Sequence, residues 1–127
     1  MAVTALYGAL LALLFLALSV RIVGLRRRLR VAVGDGGEPQ LLRAIRAHGN
    51  FAEYVPLSVL LLAMAEVQGG TPILLHALGI ALLAGRVAHA WGLNQPNEDL
   101  RYRVFGMAAT FTALVGAALL NLTLSLV

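Results

Sequence analysis

The sequence predicts an all-α membrane protein, a four-helix antiparallel bundle, and three observations carry that prediction. The chain of 127 residues is 60% hydrophobic and only 13% charged, whereas a soluble domain wets its surface with about 25% charged residues. Its mean hydropathy is +0.84. Four long apolar runs are separated by short turn-like breaks at 34–39, "GDGGEP", at 68–72, "QGGTP", and at 94–99, "NQPNED". Glycine, proline, asparagine and aspartate end helices and turn chains, and breaks this short fit a compact bundle within a single domain spanning 1–127.

The first run, 2–20, has no charge, and its helix is expected near 2–25. A bilayer crossing needs about 20 mainly apolar residues at 1.5 Å rise each. Nothing basic precedes this run and the arginines follow it, so by pattern it is not a cleaved signal peptide. The second helix, near 40–67, reaches crossing length only if its charged beginning is helical too. The third, near 71–93, likewise needs its charged end. The fourth, near 103–126, contains 24 uncharged residues from 104 to 127. Membrane strands would alternate apolar and polar residues over about 10 positions, and these runs do not.

All ten basic residues are arginine. Arg21, Arg26, Arg27, Arg28, Arg30, Arg43 and Arg46 surround the first break, Arg101 and Arg103 flank the third, and the middle break has no basic residue. Positive loops stay in the cytoplasm, which places loops one and three there and both termini on the opposite side. The sequence pI near 10.7 reflects this topology, and no nucleic-acid partner is expected. The chain has no cysteine, which excludes disulfides, cysteine nucleophiles and thiolate metal sites. His48, His76 and His89 lie on different faces or helices, so no metal site is expected.

Within the second helix, Arg43, Arg46, Asn50, Glu53, Tyr54 and Leu57 fall within about a 100° sector at 100° per residue. This polar stripe descends from the arginine-rich mouth into the membrane. Ionisable groups at that depth face a partner helix or a wet cavity. Two readings of the stripe stand: arginines snorkelling to the interface while Glu53 ties the bundle, or a pocket for an anionic ligand. In the third helix, Arg86, His89 and Leu93 share a face at spacings of 3 and 4. Arg86 needs a counter-charge there, and Glu53 matches it in depth. The surplus of guanidinium at one end favours the anion pocket, because arginine binds carboxylates in a two-pronged fashion and stabilises developing negative charge.

Smaller features have structural readings. Asp35 and Glu38 balance the arginine-rich end of the first helix, and Glu98 and Asp99 suit the N-terminus of the fourth. Glu66 is read as a solvated helix-end charge, with capping or a headgroup contact as the alternative. His76 is expected to face another helix through a hydrogen bond. Gly106 and Gly116 suit close helix packing.

Together "RAHGNFAEYVP", "GRVAH" and "LRRRLRVAVGDGG" resemble the MAPEG family, the membrane-associated proteins of eicosanoid and glutathione metabolism, in its bacterial branch. The resemblance implies a homotrimer of four-helix chains that binds glutathione at the cytoplasmic end of each subunit interface, with helices from two neighbours. It implies that Arg46 and Asn50 hold the polar groups of glutathione, and that Glu53 takes a ligand amine or pairs with Arg86. Tyr54 would donate its hydroxyl, and His89 would contact the tripeptide. Arg26 and Arg27 match the arginine pair closing the first helix, with Arg27 a catalytic candidate. The thiolate-stabilising arginine matches Arg103 first and Arg101 second.

The implied activity is attack of the glutathione thiolate on a lipophilic electrophile or peroxide drawn from the membrane lipid. Two departures weaken it: Trp91 and Leu93 stand where family enzymes carry a tyrosine, and Gly49 replaces an arginine of the prostaglandin-forming branch. A non-catalytic member that binds an anionic small molecule or has a structural role is the alternative. A proton-coupled exporter is disfavoured, because the first helix has no acid and Glu53 lies close to arginines.

Overall fold

The computed structural model describes residues 1–126. Four helices follow in order, α1 (Ala2–Leu29), α2 (Pro39–Val67), α3 (Pro72–Asn94) and α4 (Leu100–Ser125). Each is long and apolar enough to cross a membrane. The charged ends of α2 and α3 are indeed helical, which gives both the length the apolar runs alone lacked.

Local chemistry sets the helix ends. Pro39 and Pro72 open α2 and α3, where a proline's missing N–H leaves no bond unmade and its fixed φ already suits a helix. Asp99 caps α4 by accepting from the Arg101 N–H at 3.0 Å, so α4 starts at Leu100, three residues before the expected 103. Helix α1 runs four residues past the expected 25. Arg26, Arg27 and Arg28 occupy its last turn, where arginine is a good helix former and its charge favours the carbonyl end of the helix dipole. The helix stops at Arg30, whose φ of 57° lies in the left-handed region and whose N–H returns to the Arg26 carbonyl. For a side-chain-bearing residue that conformation costs on the order of 1 kcal/mol.

Helices α2 and α3 form a central pair that packs against each other and against both flanks, whereas α1 and α4 do not pack together. The pairing is antiparallel from one helix to the next. Glu66, at the end of α2, accepts from the Val3 and Thr4 N–H groups at 3.0 and 2.8 Å and meets the Met1 amine at 3.1 Å. Its role is therefore to cap α1, and the solvated reading is replaced. An uncapped helix start leaves N–H groups without partners, which is costly near a membrane. Tyr7 and His76 join α1 to α3 by a 3.0 Å hydrogen bond, as expected for His76.

The core is a column of Leu11, Leu18, Phe51, Val55, Leu62 and Leu82, while the outer faces of all four helices expose leucine, valine and phenylalanine, as a lipid-facing surface requires. The seam between α3 and α4 brings two glycines face to face. A methyl added to Gly106 would stand 2.6 Å from the Gly85 carbonyl oxygen and 2.7 Å from the His89 nitrogen. That close approach places α4 backbone beside the polar face of α3. Asp35 and Glu38 form no ion pair with the α1 arginines among the described residues; the Asp35 carboxylate accepts from the Gly37 N–H at 3.0 Å, because the glycine turn folds it back on its own loop.

A guanidinium-lined cleft at one end of the bundle

The polar stripe of α2 and the polar face of α3 meet around Arg86. This side chain is only 1% exposed. Its Nε donates to the Thr110 hydroxyl at 2.8 Å and its Nη1 to the Asn50 side-chain oxygen at 2.6 Å. Its Nη2 reaches the Gly106 carbonyl and the Met107 sulfur, both at 3.4 Å. One guanidinium thus joins α2, α3 and α4. The proposed Glu53–Arg86 pair is not made within the chain: Glu53 is exposed on the outer side of α2, and neutral acceptors surround Arg86. The Gly85–Gly106 approach explains this, since it brings the Gly106 carbonyl and Thr110 within reach of Arg86. Thr110 in turn donates to the Gly106 carbonyl at 2.7 Å.

Beyond Asn50 the bundle opens into a cleft of about 310 Å³ lined by Arg43, Arg46, Asn50, His89, Glu98 and Arg103, with Leu93 among its apolar walls. Glu98 organises it. One carboxylate oxygen accepts from Arg43 at 3.2 Å and the other from Arg103 at 2.6 Å. The Arg103 hydrogen bond, assisted by Arg43, holds the Glu98 carboxyl below its ordinary range. Arg46 is exposed at the cleft and forms no hydrogen bond or ion pair among the described residues. Three guanidinium groups against one carboxylate leave the cleft electropositive, a setting that favours a bound anion.

The structure therefore brings together Arg46, Asn50, His89 and Arg103 of the expected site residues, with Arg86 directly behind Asn50. It separates the others. The Arg101 side chain is 93% exposed beside Asp99 at 3.7 Å and stays outside the cleft, whereas Arg103 lines it. Tyr54 is half-buried and meets the Phe111 ring edge-on at 5.4 Å, outside the cleft lining. Arg26 and Arg27 lie in a separate cleft at the end of α1. Sequence reasoning missed Glu98 and Thr110. Glu98 read as a helix-start charge, although its position five residues before Arg103 allows a bond across the first turn of α4. Thr110 follows Gly106 by four, and that one-turn spacing was its only signal.

The sequence model of the MAPEG family matches residues 4–123. The chain is also 44% identical over 120 residues to the inner membrane protein YecN of Escherichia coli K12, covering 94% of this chain and 90% of that one. The same protein from Escherichia coli O6:H1 matches to the same extent. Four membrane-length helices, the stripe on α2 and a family match across nearly the whole chain lead to one conclusion: this membrane protein belongs to the MAPEG family.

Proposed function

We propose that the cleft binds glutathione and raises the reactivity of its thiol towards a lipophilic electrophile or peroxide. The observation that supports this most is the excess of three guanidinium groups over one carboxylate around Asn50 and His89. The Arg46 guanidinium has no partner among the described residues and is available to a ligand carboxylate. A free thiol titrates near pKa 8.5 and reacts as its thiolate, so a nearby guanidinium favours the reactive form. In a transfer reaction the thiol proton leaves to water, sulfur bonds to the electrophilic carbon, and the leaving group departs with the displaced electron pair. With a hydroperoxide, sulfur attacks the O–O bond and releases the alcohol. A second glutathione then displaces water from the sulfenic acid and forms the disulfide.

In this reading the arginine-rich loops face the cytoplasm and three chains assemble so that a neighbour's Arg26 and Arg27 complete each site. Their distance from the cleft within one chain is consistent with that arrangement. Glu53, exposed and without a partner among the described residues, would meet either the ligand amine or the neighbouring subunit.

A second reading, binding without turnover, is favoured by one specific feature. Arg103 is held by Glu98 at 2.6 Å and must leave it to face a thiolate. Calorimetry with glutathione on the detergent-purified protein, beside Arg46→Ala and Arg103→Ala, tests the proposal. Millimolar or tighter binding that Arg46→Ala weakens about tenfold or more, a loss of at least 1.4 kcal/mol, supports the site. Reduced turnover with retained binding in Arg103→Ala supports the catalytic role. No binding by the wild type at millimolar glutathione overturns both readings for this ligand.

A further inference from the structure

The end of α1 carries a second arginine cluster, separate from the cleft above within the chain. Arg26, Arg27 and Arg30, with Val31 and Ala32, line a shallow cleft of about 320 Å³, and no acidic side chain lines it. Arg26 is fixed by donating to the Gly34 carbonyl at 2.8 Å. The guanidinium groups of Arg27 and Arg30 form no hydrogen bond or ion pair among the described residues. Arg30 holds the left-handed position that ends the helix, where glycine is the least strained residue. A cap alone would not need a guanidinium there.

Depth and polarity identify the partner. Apart from Arg21, which donates to the Asn94 side-chain oxygen at 3.0 Å, the apolar stretch of α1 runs to Leu25, and its arginine cluster begins at Arg26. About 30 Å of hydrocarbon is bordered by roughly 5–7 Å of headgroup layer on each side, so Arg26 to Arg30 stand at headgroup level. The loop after them presents Val33 at 88% exposure, an apolar tip beside free guanidinium groups. Basic residues next to a membrane helix attract anionic lipid, and arginine grips phosphate with paired N–H groups.

We propose that this cleft binds the phosphate of an anionic phospholipid, with Arg30 as a direct ligand and Val33 resting against the adjoining lipid. Arg26 and Arg27 belong also to the glutathione site proposed above, so the test rests on Arg30, to which no role in that site is assigned. Arg30→Gly and Arg30→Asn both accept the left-handed conformation while removing the guanidinium. The purified protein is titrated in detergent with dioleoylphosphatidylglycerol, with dioleoylphosphatidylcholine, and with inorganic phosphate, and its thermal unfolding midpoint is followed.

Phosphatidylglycerol is expected to raise the midpoint more than the other two. Both variants should shift its half-saturating concentration upward about fivefold, the worth of one basic residue near an anionic surface. Without lipid, their midpoints should equal or exceed that of the wild type. An unchanged half-saturation in both variants would show that Arg30 is only a cap and would overturn the proposal. Equal stabilisation by inorganic phosphate alone would assign the cleft to a soluble anion and overturn it as well.

Discussion

Arg86 shows how a charge is kept inside an apolar bundle without a carboxylate. Its hydrogen bonds to Thr110, Asn50 and the Gly106 carbonyl spread the charge over neutral dipoles, and each acceptor is correspondingly hard to lose. A buried donor deprived of its partner costs about 1–3 kcal/mol, more when it is charged. Thr110→Ala is therefore expected to destabilise the protein by roughly 2 kcal/mol, measured by thermal unfolding in detergent, and Thr110→Ser should restore most of it. Glu98 is the opposite case, a carboxylate shared by two arginines at the membrane edge. Its folded pKa lies below the ordinary 4.5, so the stability it adds is fully present above about pH 4.5 and fades as pH falls through the lower folded value. The difference in unfolding midpoint between wild type and Glu98→Gln should accordingly be constant near neutral pH and close only in acid. A difference that closes between pH 8 and 6 would contradict this assignment.

At the scale of helices, the α3–α4 seam depends on two backbones touching, and the glycines along it are not equivalent. An added methyl at Gly106 meets backbone atoms of Gly85 and His89, whereas at Gly116 it meets the end of the Leu78 side chain. Backbone cannot yield as a leucine tip can. Gly106→Ala should cost about 1–3 kcal/mol and displace Arg86 from Thr110, while Gly116→Ala should fall below about 1 kcal/mol; paired unfolding measurements distinguish the two. The helices were legible in the sequence because apolar length and turn chemistry are local properties. So was the stripe of Arg43, Arg46 and Asn50, which follows from the helix period alone. The end of α1 was misjudged because charge was taken as the membrane boundary and so as the helix boundary, whereas arginine continues a helix readily. The Glu53–Arg86 pairing was misjudged because depth along a helix says nothing about the side of it on which a partner stands, and the Gly85–Gly106 contact that supplies Arg86 with acceptors is a tertiary fact. Glu66 and Glu98, read as ordinary helix-end charges, gained their roles from helices far away in sequence.

For the molecule as a whole, the contrast between its two ends is the main feature. One end carries nine of the ten arginines, all but the buried Arg86, and both clefts; the other carries the start of α1, the end of α4, the Glu66 cap and the Gln68–Asn121 hydrogen bond at 2.7 Å. Because the chain contains no cysteine, its sidedness is open to direct labelling. Val33→Cys and Val67→Cys place single thiols at exposed positions on opposite ends. With the protein expressed in the inner membrane of Escherichia coli cells whose outer membrane is made permeable, an impermeant maleimide should label the second and leave the first until the inner membrane is broken. Labelling of Val33→Cys alone in intact cells would invert the proposed orientation.

The absence of packing between α1 and α4 has a mechanical meaning. Each flank is fastened only to the α2–α3 spine, so a load on either terminus bears on one flank and leaves the other seated. The first and last helices can be peeled away separately, as two leaves hinged on one binding. The resistance of α1 rests on its Glu66 clasp and that of α4 on its glycine seam.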